Sequence, residues 1–158
     1  MQLPLLPHGA NREDYAAGLD AAAERMRAAI VWLAEQGISR IVAVGHGYGA
    51  DVALHATADN ALPEVISIVA GNWRLAPERI DHAQPVPLPE RPVFDLYGGR
   101  DRELRMAGER RATSWNHSNW YTSWELAAAD FDFTGCEAQF AGRVRGWLAR
   151  VDKLIPPS

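Results

Sequence analysis

The sequence predicts an α/β fold, a parallel sheet of about four strands flanked by helices, and three observations carry that expectation. Short apolar runs rich in β-branched residues, Ile41-Val42-Ala43-Val44, Val65-Ile66-Ser67-Ile68-Val69-Ala70 and Val93-Phe94-Asp95-Leu96-Tyr97, recur along the chain. Each leads into glycine, at Gly45, Gly71 and Gly98. Before the first run and after the third lie segments whose apolar residues return every three or four positions, and helix-compatible segments follow the first and third runs. Strands that alternate with helices in this way lie side by side in one direction, because each right-handed crossover helix packs back onto the sheet.

Taken in order, Tyr15, Leu19, Ala22, Met26, Ala29, Ile30 and Leu33 share one helical face, so residues 14–36 are expected to form a long amphipathic helix. Gly37 follows at the position that favours a left-handed backbone. The first strand covers residues 41–44, and a helix-compatible segment covers 50–58. A second strand spans 65–70. The proline-rich stretch 77–92 lacks the backbone donors that a helix or central strand needs, and is expected to be a surface excursion. A third strand at 92–97 is followed by a helix over about 102–113 and a fourth strand around 123–128. Thr134 with Glu137 reads as a capping box, and Phe140, Val144, Trp147, Leu148 and Val151 make the buried stripe of a last helix.

Composition narrows the function. The chain of 158 residues fits one domain, residues 1–158, and its 16 basic and 20 acidic residues are interleaved to a net charge of −4. There is no basic field to attract nucleic acid, and the segment 100–111 mixes both signs and reads as a solvated helix face. Cys136 is the only cysteine, which excludes an intrachain disulfide and a paired-cysteine metal site. His8, His55, His82 and His117 are scattered without metal-ligand spacing. No metal or cofactor is expected. The start, Met1-Gln2-Leu3-Pro4-Leu5-Leu6-Pro7, lacks the basic leader of a signal peptide, and no apolar run is long enough to span a bilayer, so the expected location is the cytoplasm.

The chemistry-bearing motif is Gly45-His46-Gly47-Tyr48-Gly49, set between a strand and a helix. A strand that ends in Gly-x-nucleophile-x-Gly and turns sharply into a helix is a nucleophile elbow, which presents a serine hydroxyl above the sheet. Here the nucleophile position is Gly47. The order of parts around it resembles an α/β-hydrolase. Gln2-Leu3-Pro4-Leu5-Leu6-Pro7 is similar to the end of the strand before the long helix in an uncharacterised bacterial subgroup of that superfamily, and Gly45 to Ala50 resembles its Gly-His-Ser-x-Gly-Ala elbow. Residues 93–101 resemble the strand and turn that deliver the triad acid, with Asp101 at the acid. Ala129-Asp130-Phe131 matches an Ala-Asp-His, and residues 143–148 resemble the closing helix.

The resemblance implies a fold and a lost reaction. Serine is replaced by Gly47 and histidine by Phe131, while Asp101 alone remains, and an aspartate with no imidazole to orient has no part in acyl transfer. Glycine also relieves the strain of such a turn, typically about 1–3 kcal/mol. Asp101 is equally well read as the N-cap of the helix that starts at Arg102. His46 is read as a packing or surface residue, although with Tyr48, Asn72 and Trp73 it could line a vestigial pocket. Of the other tryptophans, Trp124 and Trp147 are expected in the core, whereas Trp115 and Trp120 suit a core or an interface equally.

Two other readings use the same residues. Gly45-x-Gly47-x-x-Ala50 satisfies a dinucleotide fingerprint, but the next strand ends in Gly71-Asn72-Trp73 rather than in an acidic ribose ligand. An esterase-like hydrolase with a non-standard site would use His46, Asp101 and Asp130 or Asp132 as acid–base groups. The favoured expectation is a truncated α/β-hydrolase-like domain without catalysis, acting as a binding, structural or accessory subunit; a gene fragment is a third possibility. Strands expected before the elbow strand, with the loop that gives one oxyanion-hole amide, are not found ahead of it. Ile41, Val42, Ala43 and Val44 would then lie at a sheet edge, where unpaired apolar strands invite association; either Gln2 to Leu6 fold back to cover it or another chain pairs with it, and an oligomer is the expectation, a homodimer or a subunit of a larger complex.

Overall fold

A computed structural model describes residues 12–73, 88 and 90–155. Four strands form one sheet, β1 (Ile41–His46), β2 (Val65–Gly71), β3 (Val93–Gly98) and β4 (Tyr121–Leu126). They lie in the order β1-β2-β3-β4 and all run parallel. Five helices accompany them among the described residues: α1 (Arg12–Ala17) and α2 (Leu19–Glu35) before β1, α3 (Tyr48–Ala56) between β1 and β2, α4 (Arg102–Trp115) between β3 and β4, and α5 (Glu137–Leu154) after β4. The chain is thus an α/β protein with a parallel sheet flanked by helices, as its alternating pattern predicts. The proline-rich stretch lies almost wholly outside the described residues, as do Gln2 to Pro7, His8 and His82.

Side chains alternate between the two faces of each strand, and the two cores follow from this. Ala43, Ile68, Ala70 and Val93 pack with Ile30 of α2, Ala50, Ala53 and Leu54 of α3, and Trp115 of α4. Val69, Phe94 and Leu96 point the other way and pack with Trp147 and Val151 of α5. Phe94 stacks on Trp147 at 5.0 Å between ring centroids, and the buried indole N–H of Trp147 donates to Ser67 Oγ at 2.9 Å. That bond removes the cost of an unsatisfied donor in the core, typically about 1–3 kcal/mol. No helix among the described residues is long and apolar enough to cross a membrane.

Several boundaries differ from the sequence reading, each for a local reason. The long helix expected over 14–36 is divided at Gly18, which has the weakest helix propensity of its neighbours. The helix after the elbow starts at Tyr48 rather than Ala50 and stops at Ala56, where the Thr57 hydroxyl donates back to the Ala53 carbonyl at 2.8 Å. The third helix of the sequence reading runs on to Trp115, and the fourth strand begins at Tyr121 rather than Ser123. The capping box does not form. Cys136 is the N-cap of α5, Thr134 N–H donates to Asp130 instead, and Glu137 accepts from Gly135 N–H at 3.0 Å; its own backbone N–H first, and then that of Gly135, hold its carboxyl below the usual carboxylate range.

Two expectations about burial are overturned. Trp124 is 42% exposed, not core, because β4 is the last strand of the sheet among the described residues and its α5 face is covered there only in part; the Arg143 guanidinium lies over its ring at 3.6 Å. Arg111 does not belong to the solvated face of α4. It is buried and forms a two-pronged ion pair with Asp95 in the middle of β3, Nε to Oδ2 at 2.6 Å and Nη2 to Oδ1 at 3.0 Å. Tyr121 donates its hydroxyl to the same carboxylate, and Arg111 Nη1 donates to the Trp73 carbonyl at 2.9 Å. Burial and the adjacent Asp95 push the Tyr121 phenol above its ordinary range, so it stays a donor.

At the other edge, β1 pairs only with β2 among the described residues. Val44 is in register with Val69 and so lies on the α5 face, yet it is 63% exposed, because α5 does not extend over it. Ile41 and Val42 are half-buried and Ala43 is buried.

Candidate functional site

In a parallel sheet the carboxyl ends of the strands are where loops converge and ligands bind. Each of the four strands brings one piece to this end: Gly45, His46 and Gly47 from β1, Asn72 and Trp73 from β2, Gly98 to Asp101 from β3, and residues 127–136 from β4. The turn from β1 into α3 is tight. A Cβ on Gly45 would overlap the backbone carbonyl of Gly49, so only glycine fits. Gly47 has φ +53° and ψ −120°, a region that side chains rarely adopt, and its N–H donates to the Gly71 carbonyl at 2.7 Å. At Gly49, by contrast, nothing among the described residues lies within 4 Å of an added Cβ.

The ring of Phe131 stands directly against this turn. A Cβ on Gly47 would lie 2.9 Å from Phe131 Cζ, well inside van der Waals contact. The two triad positions assigned to serine and histidine from the sequence are therefore adjacent in space. The His46 ring is 4.6 Å from that of Phe131, and its Nε2 donates to the Phe131 carbonyl at 2.7 Å; a carbonyl can only accept, which fixes the proton on Nε2. His46 itself is exposed.

Asp101 is placed differently. Its side chain caps α4, with Oδ1 accepting from Glu103 N at 2.9 Å and Leu104 N at 3.3 Å. Loss of such a cap typically costs about 1 kcal/mol. Asp101→Ala is expected to lower the free energy of unfolding, measured by urea denaturation, by that amount while leaving the far-ultraviolet spectrum unchanged. Asp130 is similarly occupied, its Oδ1 accepting from Asp132 N at 3.1 Å and Thr134 N at 2.9 Å, whereas Asp132 is exposed.

Asn72 and Trp73, read from sequence as pocket residues, are buried and serve the framework. Trp73 stacks on Trp115 at 5.4 Å and donates its indole N–H to Asp51. Asn72, at φ +46°, accepts from Gly98 N–H at 2.8 Å through Oδ1 and donates through Nδ2 to the Asp130 and Phe131 carbonyls. It ties the ends of β2, β3 and β4 together. Its one sequence signal is its place straight after a buried strand. Tyr48 is half-buried, edge-on to Tyr15 at 4.9 Å, and burial followed by the nearby Asp51 raises its phenol above the ordinary value.

Phe133 completes the wall, at φ +57°, with its ring 5.8 Å from His46 and 4.9 Å from Phe140. Among the described residues no group of three or more His, Cys, Asp or Glu is placed to hold a metal ion. What the site presents is thus a tight strand-to-helix turn, with no hydroxyl or thiol on Gly47 and a phenyl ring against it.

Fold and site together define an α/β protein with a parallel sheet and a glycine-built turn at its carboxyl edge. The chain belongs to the protein family of unknown function DUF3530, whose model matches residues 9–150. No curated protein sequence matches it.

Proposed function

We propose that this chain is a catalytically silent, α/β-hydrolase-like protein that acts through binding, as a structural or accessory subunit. The observation that carries the reading is the contact between Gly47 and Phe131: the positions suited to a nucleophile and its base touch, and neither side chain can donate or accept a proton in catalysis. The positive φ at Gly47 and the close approach at Gly45 support the elbow reading. The acids that a rival mechanism would enlist are turned to other tasks, Asp101 to helix capping and Asp130 to loop structure. The glycine fingerprint favours no nucleotide either, since the Phe131 ring stands where a pyrophosphate would approach Gly47.

A panel of p-nitrophenyl esters of graded chain length tests the silent site. Turnover at the uncatalysed rate is expected, unchanged by His46→Ala or Asp101→Ala. Turnover abolished by either substitution would overturn the reading and restore an esterase with a non-standard site.

The binding surface we assign is the β1 edge, Ile41 to Val44, where Val44 stands exposed on the sheet face and the strand carries no charged or proline residue to discourage pairing. Self-association or co-purification with a second chain is expected. Light scattering at micromolar concentration, with intact-mass identification of co-eluting chains, measures it; a stable monomer without a partner would sink this part. With a single cysteine and no need of disulfides, the composition suits the cytoplasm.

A further inference from the structure

The loop over residues 127–136 is more than a strand-to-helix connection. Its anchors, Ala129, Phe133 and Cys136, are buried in the α5 core, and between the first two lies a three-residue tip, Asp130, Phe131 and Asp132. Two donors from different strands converge on one acceptor in that tip: His46 Nε2 from β1 and Asn72 Nδ2 from beyond β2 both bond the Phe131 carbonyl. Asn72 also reaches the Asp130 carbonyl at 3.4 Å. The same residue whose carbonyl is held this way lays its ring on His46 and against Gly47.

We propose that this tip is a latched stopper, an autoinhibitory contact in which His46 and Asn72 hold the Phe131 ring over the elbow turn and deny it to any ligand. The proposal rests on the reading of the turn as a degenerate elbow only for its biological meaning; the latch stands on the hydrogen bonds alone. Carbonyl oxygens have two lone pairs, so both donors can be satisfied at once, and the two bonds act in concert on a segment of three residues. The tip side chains are half-buried or exposed, while the residues on either side are core, so the tip can open without unpacking the sheet. What the stopper excludes is an apolar group of about a phenyl ring's size seated on Gly47.

Hydrogen exchange on the full chain separates the latch from the stopper. His46→Phe keeps an aromatic ring beside Phe131 and removes the donor; because His46 is exposed, the fold should survive. Amides in the peptide covering 127–136 are expected to exchange about three- to tenfold faster, as loss of one hydrogen bond implies, with peptides covering β2 and β3 unchanged. Phe131→Ala removes the ring and keeps the carbonyl. It is expected to leave the 127–136 peptide protected while the amides of 47–50 exchange faster. No change in the first variant overturns the latch, no change at 47–50 in the second overturns the stopper, and faster exchange throughout the sheet in both would reduce the contact to ordinary packing. None of these readouts depends on ester turnover, so the latch can fail while the silent-site reading stands, or the reverse.

Discussion

Arg111→Met is expected to lower the free energy of unfolding by about 3–5 kcal/mol, a large fraction of the stability of a domain this size. The loss does not measure the strength of the ion pair. It comes from Asp95, which is fully buried and, among the described residues, would be left with a carboxylate that only the Tyr121 hydroxyl still meets. The Trp73 carbonyl loses a donor as well. Lysine should not rescue, because one ammonium cannot reproduce the fork that meets both carboxylate oxygens and the carbonyl together. The informative partner is the double substitution Arg111→Met with Asp95→Leu, which removes both charges. It should recover much of the loss, since buried pairs exchanged for apolar residues of similar volume are often neutral. Urea denaturation of the wild type and both variants measures the three values. A cost under about 1 kcal/mol for Arg111→Met would mean that water reaches Asp95 and that the site is not desolvated.

How far such a feature can be read from sequence depends on whether its signal is local. The strands β2 and β3 were legible because buried parallel strands are nearly continuous apolar runs. The turn was legible because a close approach such as that of Gly45 to Gly49 leaves glycine as its trace. The adjacency of Gly47 and Phe131 had no local sign, and only the order of parts along the chain suggested it. Asp95 did carry a sign: a carboxylate amid apolar strand residues needs a buried partner. Nothing in a run of mixed charges says which arginine that partner is, since Arg102, Arg105 and Arg110 on the same helix are exposed. Trp124 was misplaced for a related reason. Its alternation along β4 fits a buried face, and only the strand order reveals that β4 is an edge. Asn72 was noticed, but as a pocket residue, because its three bonds depend on loops from two other strands.

Gly45→Ala and Gly49→Ala should have opposite signs, although the two glycines hold equivalent places in the motif. At Gly45 the new methyl would overlap the Gly49 carbonyl and press on Ala50 N, all backbone atoms, so no side chain can swing aside. Overpacking of this kind typically costs about 1–3 kcal/mol, and here the cost should reach the top of that range or exceed it, because relief requires α3 to move off the end of β1. That movement would carry Gly47 with it and break the Gly47 N–H bond to Gly71. At Gly49, inside the first turn of α3, the methyl meets open space among the described residues, and exchange of glycine for alanine in a helix is worth about 0.5–1 kcal/mol of added stability. Thermal and urea unfolding of the two variants are the measurements. If Gly49→Ala also destabilises, the position is not open to a methyl group; if Gly45→Ala is tolerated, the turn is looser than its backbone contacts require. The asymmetry has a functional meaning on the reading proposed above. Glycine at the first flank is demanded by the turn itself, whether or not a nucleophile stands between, so its presence reports the scaffold and not the chemistry. The residue that would report chemistry is the one at Gly47, and there the chain offers only backbone and the ring of Phe131.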